Sequence, residues 1–234
     1  MPHSTIPVCF KEWVGRDDQR DAEMRRALGN YGDTIPNSGE FRSCPHNFLK
    51  RIFDLFLSLC LVPVLSVPIL VIAVMIKLMS RGSVLYWSDR VGVGNKIFKM
   101  PKFRTMRIDT PAVATHLMQN PDEYLTPIGP FLRKSSLDEL PQLWSVLKGD
   151  MSFVGPRPAL FNQDDLIALR AEKGVHRLIP GITGWAQING RDDIPIPKKV
   201  EFDAYYLKNR SFIFDLKILF LTFFKVTRAK NVSH

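Results

Sequence analysis

The sequence predicts an α/β domain, mostly helical and associated with a membrane. Three observations predict it: a charge-free apolar run of 22 residues, Leu55–Ile76; two extended stretches joined by a glycine turn; and apolar residues at helical spacing further along. A chain of 234 residues, 45% of them hydrophobic, suffices for one domain with a buried core and a tail. With 32 Lys and Arg against 23 Asp and Glu, the formal charge is +9. That excess suits an anionic partner: a phosphorylated substrate, an acidic membrane surface or nucleic acid. The three cysteines, Cys9, Cys44 and Cys60, form no CxxC pair, so neither a disulfide framework nor a zinc site is indicated.

Residues 1–47 mix charges with Gly, Pro, Ser and Asn. The run Arg16–Arg26 suits a short polar helix, but nothing there has a sustained apolar face. This stretch is expected to be a poorly ordered polar tail, and it shows no cleavable signal. Residues 48–80 form the membrane segment. Its apolar run meets the length of a bilayer-crossing helix, about 20 residues at roughly 1.5 Å each. Lys50 and Arg51 precede the run, and Lys77 and Arg81 follow it, so a simple span has no clear direction. Pro63 and Pro68 flank Ser66 near the middle. Each proline removes a backbone donor and predicts a bend, and Ser66 is suited to back-bond a freed carbonyl. The residues alone leave a spanning helix and a re-entrant one equally open.

Residues 81–234 form the remaining domain. Ser83–Trp87 reads as a short strand, Arg90–Lys96 as a hairpin turn and Ile97–Arg104 as a second strand; the GxGxxG pattern is incomplete, so a phosphate loop is disfavoured. In Arg133–Asp150, the residues Leu137, Leu140, Trp144 and Leu147 recur at helical spacing and predict one buried stripe. Gly149 is a stop, and Ser136 with Glu139 reads as a capping box at the start. Asp138 then falls in a first turn, where free N–H groups favour an ionised carboxylate. Such a group suits attack on phosphorus or metal binding, although acids in a first turn are common and Glu139 has a plain capping role open to it. Near the C-terminus, Phe212–Val226 reads as an amphipathic helix at a membrane interface, or as a terminal helix packed on the domain.

Bases surround the acidic pair in sequence: Lys102 and Arg104 in KFRTM, Arg133 and Lys134 just before it, Arg157 between two prolines, and Arg191 after Pro180–Gly190. Arginine forks match phosphate oxygens, and two acids amid such bases are what phosphoryl transfer requires. No helix-turn-helix, zinc-finger or RNP-like pattern supports nucleic-acid binding.

Five ordered motifs carry a resemblance across roughly Lys50–Arg228: Lys50–Asp54, Lys102–Met106, Ser136–Gln142, Lys148–Pro158 and Pro180–Arg191. Together they resemble the bacterial monotopic phosphoglycosyl transferases. The resemblance implies transfer of a sugar 1-phosphate from a UDP-sugar to polyprenyl (undecaprenyl) phosphate, with release of UMP, to begin a bacterial glycan. It implies Asp138 as the nucleophile of a covalent phosphosugar intermediate and a metal contact, Glu139 as base for the lipid phosphate, and assistance by Mg2+. Lys102, Arg104, Arg133 and Arg157 become candidates for the diphosphate, and Arg191 for the nucleotide or substrate mouth. The resemblance also implies a re-entrant membrane helix broken at Ser66 and Pro68, with both ends at the cytosolic face of the inner membrane. In this sequence Val67 separates that Ser from its Pro, Ile179 stands where a basic residue is usual, and Ser145 stands for the common Asn.

Overall fold

The computed structural model describes residues 45–108, 110, 121–190 and 194–229. Most of the predicted polar tail, including Arg16–Arg26, lies outside them, as does Arg191.

Helix α1, Pro45–Met79, contains the apolar run. Only 11% of its most apolar window is buried, which argues against the core helix of a soluble domain. Its exposed residues include Phe56, Val64, Val67 and Leu70 around the middle. The assigned helix continues through Pro63 and Pro68, and Ser66 Oγ donates to the Pro63 carbonyl at 2.7 Å, the back-bond expected of it.

Both ends of α1 are held by the same domain. At the start, Lys50 Nζ lies 2.7 Å from Asp215 Oδ2, and Arg51 donates to the carbonyls of Val146 and Leu147 at 2.5 and 2.7 Å. Asp54 Oδ1 accepts from the Phe153 N–H at 3.2 Å. At the far end, Ile72 and Ile76 enter a core cluster with Phe103, Ile128 and Leu132.

Strands β1, Leu85–Val91, and β2, Ile97–Phe103, form the expected antiparallel hairpin, from Leu85↔Phe103 to Val91↔Ile97. Gly94 at the turn has φ +63°, the left-handed region where glycine is strain-free. Helix α2, Gly129–Ser135, leads to a 3-10 segment, Leu137–Gln142, and then to α3, Leu143–Lys148, which stops at Gly149 with φ +94° as expected.

The predicted stripe is corrected here. Trp144 is 56% exposed, while Leu143 and Val146 are buried. A 3-10 turn repeats every three residues, so the inward series is Leu137, Leu140, Leu143 and Val146 rather than one set at α-helical spacing. Pro141 lies inside this segment, and its ring would clash with the carbonyl of residue 137 in an α-helical turn. Leu137 and Leu140 pack on the cluster at the far end of α1, whereas Leu143 and Val146 belong to the main core with Met100, Met151 and Phe153. The segment bearing the acidic pair therefore bridges two cores.

Strands β3, Ser152–Val154, and β4, Gly181–Thr183, pair in parallel. A Cβ on Gly181 would meet the backbone of Gly155 and Val154, which explains the glycines of both motifs. Helices α4, Asp164–Glu172, α5, Trp185–Gly190, α6, Ile196–Asn209, and α7, Phe212–Ala229, complete the domain. On α7, Asp215 and Ile218 are buried, while Ile213, Phe220 and Phe223 are exposed. This is the two-sided helix expected near the C-terminus.

Candidate active site

Asp138 and Glu139 lie in the first turn of the 3-10 segment and face β2. Ser136 does not cap it. Its φ is +57°, its hydroxyl makes no cap bond, and its own N–H closes α2 on the Arg133 carbonyl at 3.2 Å. A left-handed residue ends one helix here, and its side chain is not aimed at the next turn. The capping box is thereby corrected, and with it the capping role for Glu139.

The Glu139 side chain is instead the centre of an ion cluster. Its Oε1 accepts from Lys102 Nζ at 2.7 Å and from Arg157 Nη2 at 2.8 Å, and Arg157 Nη1 approaches Oε2 at 3.5 Å. Burial pushes the Glu139 carboxyl up, but Arg157 and Lys102 outweigh it and hold the group down at about 2. Asp138 differs. Burial raises its pKa, the Glu139 charge raises it further, and Lys102 and Arg133 oppose both. The ionised Asp138 expected from its first-turn position is not what the site favours, because burial and then the Glu139 charge outweigh the cations. Among the described residues no side-chain donor hydrogen-bonds the Asp138 carboxylate.

The predicted bases divide. Lys102 and Arg157 meet on Glu139. Arg133 donates through Nε to Thr105 Oγ1 at 3.0 Å and is near enough to Asp138 to lower its pKa. Arg104, expected to hold the diphosphate, does not join them on Glu139. It is buried, and its guanidinium donates to the Arg81 carbonyl at 2.6 Å and to Ser80 Oγ at 2.6 Å, just beyond the end of α1. The strand ends at Phe103, so the alternation that turns Lys102 toward the acids does not extend to Arg104.

Two residues without any sequence signal support Arg157. Arg170 Nη1 donates to the Arg157 carbonyl at 2.8 Å, and Arg170 is itself held by buried Asp203, with Nη2 to Oδ2 at 2.6 Å. They lie 33 residues apart, on α4 and α6, so no local motif joins them.

Among the described residues no three His, Cys, Asp or Glu side chains cluster as a metal cage. Glu139 already serves two cations, which leaves one carboxylate, Asp138. That donor set suits Mg2+, which takes one or two carboxylates and fills its shell with phosphate oxygens and water.

The bacterial sugar transferase family model matches residues 45–229. The uncharacterized sugar transferase EpsL of Bacillus subtilis (strain 168) is 46% identical over 188 residues, covering 79% of this chain and 90% of that protein. The UDP-glucose:undecaprenyl-phosphate glucose-1-phosphate transferase of Escherichia coli (strain K12) is 42% identical over 188 residues, covering 77% of this chain and 40% of that protein. The UDP-N-acetylgalactosamine-undecaprenyl-phosphate N-acetylgalactosaminephosphotransferase of Aeromonas hydrophila is 40% identical over 182 residues, covering 75% of this chain and 43% of that protein. The chain thus spans less than half the length of these last two relatives.

Proposed function

The chain belongs to the bacterial sugar transferase family, and from that premise we propose that it moves a sugar 1-phosphate from a UDP-sugar to polyprenyl phosphate at a membrane surface, releasing UMP. The observation that carries this reading is a half-buried carboxylate, Asp138, with no side-chain donor of its own, beside Glu139 and within the field of Lys102 and Arg133. Such a group is hindered as a structural ion pair and well suited as a nucleophile.

In the first step an Asp138 oxygen attacks the phosphorus that bears the sugar. The new bond is aspartyl O–P; the bond that breaks joins that phosphorus to the bridging oxygen, and UMP leaves with the electron pair. Lys102, Arg133 and Arg157 are the cations for the phosphate oxygens. Asp138 is the residue that would hold Mg2+, which would supply charge neutralisation at the phosphate oxygens. In the second step an oxygen of polyprenyl phosphate attacks the same phosphorus and the Asp138 carboxylate departs. A phosphate monoester with a second pKa of about 6 is largely dianionic at neutral pH and needs no base. Glu139, held at about 2, is a weak base in any case. Its part in this reading is to fix Lys102 and Arg157, in preference to the proton transfer that the family resemblance implied.

The grip of one domain on both ends of α1 supports the re-entrant reading. A helix that crossed a hydrocarbon layer of about 30 Å would separate those ends. The exposed apolar side of α7 supports surface attachment. Lipid-soluble acceptor and water-soluble donor then meet at the boundary, at the cytosolic face of the inner membrane.

Asp138→Asn tests the mechanism. Turnover is expected to fall by at least about a thousandfold, as for loss of a nucleophile. The aspartyl-phosphosugar mass seen with wild type, magnesium and donor alone disappears. Retained turnover, or exchange of labelled UMP into UDP-sugar by the variant without lipid, would overturn it.

A further inference from the structure

We propose that Tyr86 is an acceptor-positioning residue, its ring covering the first isoprene units of polyprenyl phosphate while Lys102 meets the phosphate. The inference rests on the transferase reading and deepens it at one residue.

Tyr86 pairs with Lys102 in the β1–β2 register, and residues directly opposite in an antiparallel pair project from the same face. Lys102 is one of the two cations on Glu139, so Tyr86 stands on the side of the hairpin that faces the dyad. The ring is 58% exposed, and among the described residues no aromatic partner packs on it. A large ring left open beside a charged cluster is a contact surface in search of an occupant.

Position selects the occupant. Tyr86 follows the last residue of α1 by seven positions. The intervening Val84 and its neighbour Leu85 pack on the cluster that holds Ile72 and Ile76 of that helix. The ring therefore stands where the apolar helix leaves the domain, with a cation next to it. A phenol, apolar in its body and polar at its tip, suits that boundary. The ligand that matches is a phosphate carrying a hydrocarbon chain: its charge complements Lys102 and Arg133, and its chain continues the apolar surface. A uracil base also stacks on a phenol, but it has no reason to be at the membrane end of the hairpin.

The test uses the full chain in nanodiscs and three variants, Tyr86→Ala, Tyr86→Phe and Trp87→Ala. Trp87, 48% exposed, sits on the opposite face of the same strand. In Tyr86→Ala the KM for polyprenyl phosphate is expected to rise about fivefold, the scale of one aromatic contact, while the KM for UDP-sugar, read in turnover at saturating acceptor, moves less than about twofold. Tyr86→Phe restores the acceptor KM. A rise confined to the UDP-sugar KM would assign the ring to the base and overturn the proposal, as would no change in either KM. An equal acceptor effect in Trp87→Ala would reduce the finding to general membrane attachment and overturn it as well. Should the wild type release no UMP from any UDP-sugar, the transferase reading falls. Binding of a fluorescent polyprenyl phosphate, weakened in Tyr86→Ala and kept in Trp87→Ala, still supports the Tyr86 contact, and unweakened binding removes it.

Discussion

Two adjacent carboxyls, Asp138 and Glu139, are driven apart by what each touches. Glu139 stays ionised across any working pH because two cations grip it, whereas burial and the Glu139 charge both resist ionisation of Asp138. The proposed nucleophile must be ionised to attack, so the rate of lipid-free UMP release is expected to rise with pH through the Asp138 pKa. Its acid limb is expected above the ordinary carboxylate value of about 4. Glu139→Gln removes the like charge and takes from Lys102 and Arg157 the carboxylate they share, and both changes favour ionised Asp138. The limb then moves to lower pH, while the maximal rate falls as the two cations lose their anchor. A pH profile of UMP release checks both statements, and a limb unmoved in Glu139→Gln would deny the coupling. The acidic pair and three of its bases were legible because they lie in short motifs whose residue types suit one chemistry. The Arg104 contacts with Arg81 and Ser80 were not legible, since they depend on where β2 ends. Arg170 and Asp203 were invisible, since they meet only after α4 and α6 pack.

At the scale of elements, one side chain adds hydrogen bonds to the packing between α1 and α3. Arg51 donates to the last carbonyls of α3, the helix that continues from the acidic pair, where a cation also complements the helix dipole. Arg51→Met removes two charge-assisted bonds and leaves two half-buried carbonyls without them. The expected loss is roughly 3 kcal/mol, or a Tm lower by about 6–12 °C for a domain of this size, read by thermal unfolding in detergent. Arg51→Lys, a point charge without the fork, recovers only part. A Tm unchanged in Arg51→Met would mean that α3 is held by packing alone. The apolar run and the hairpin were readable because length and turn residues suffice to define them. The start of the acidic segment was not. The spacing Ser136–Glu139 fits a capping box and a 3-10 turn equally, and the choice rests on Pro141 and on a left-handed Ser136.

For the molecule as a whole, the decisive question is which side of the bilayer each end of α1 occupies. Helical residues from Pro45 to Met79 reach about 50 Å if straight, more than enough to cross. Crossing, however, would pull Lys50, Arg51 and Asp54 away from Asp215, Val146 and Phe153, or pull Ile72 and Ile76 away from Leu132 and Phe103. Either leaves buried charge or apolar surface uncovered, and neither the prolines nor the Ser66 back-bond has a purpose in a straight span. A helix that enters and returns keeps every one of these contacts. Single cysteines at Leu49 and Ser83, in a background with Cys9, Cys44 and Cys60 replaced by Ser, are therefore expected to react with a membrane-impermeant maleimide from the same side. Both label in inside-out vesicles and neither labels in intact spheroplasts. Labelling of the two positions from opposite sides would show a crossing helix, and would separate the catalytic domain from one of the ends that the fold requires it to hold.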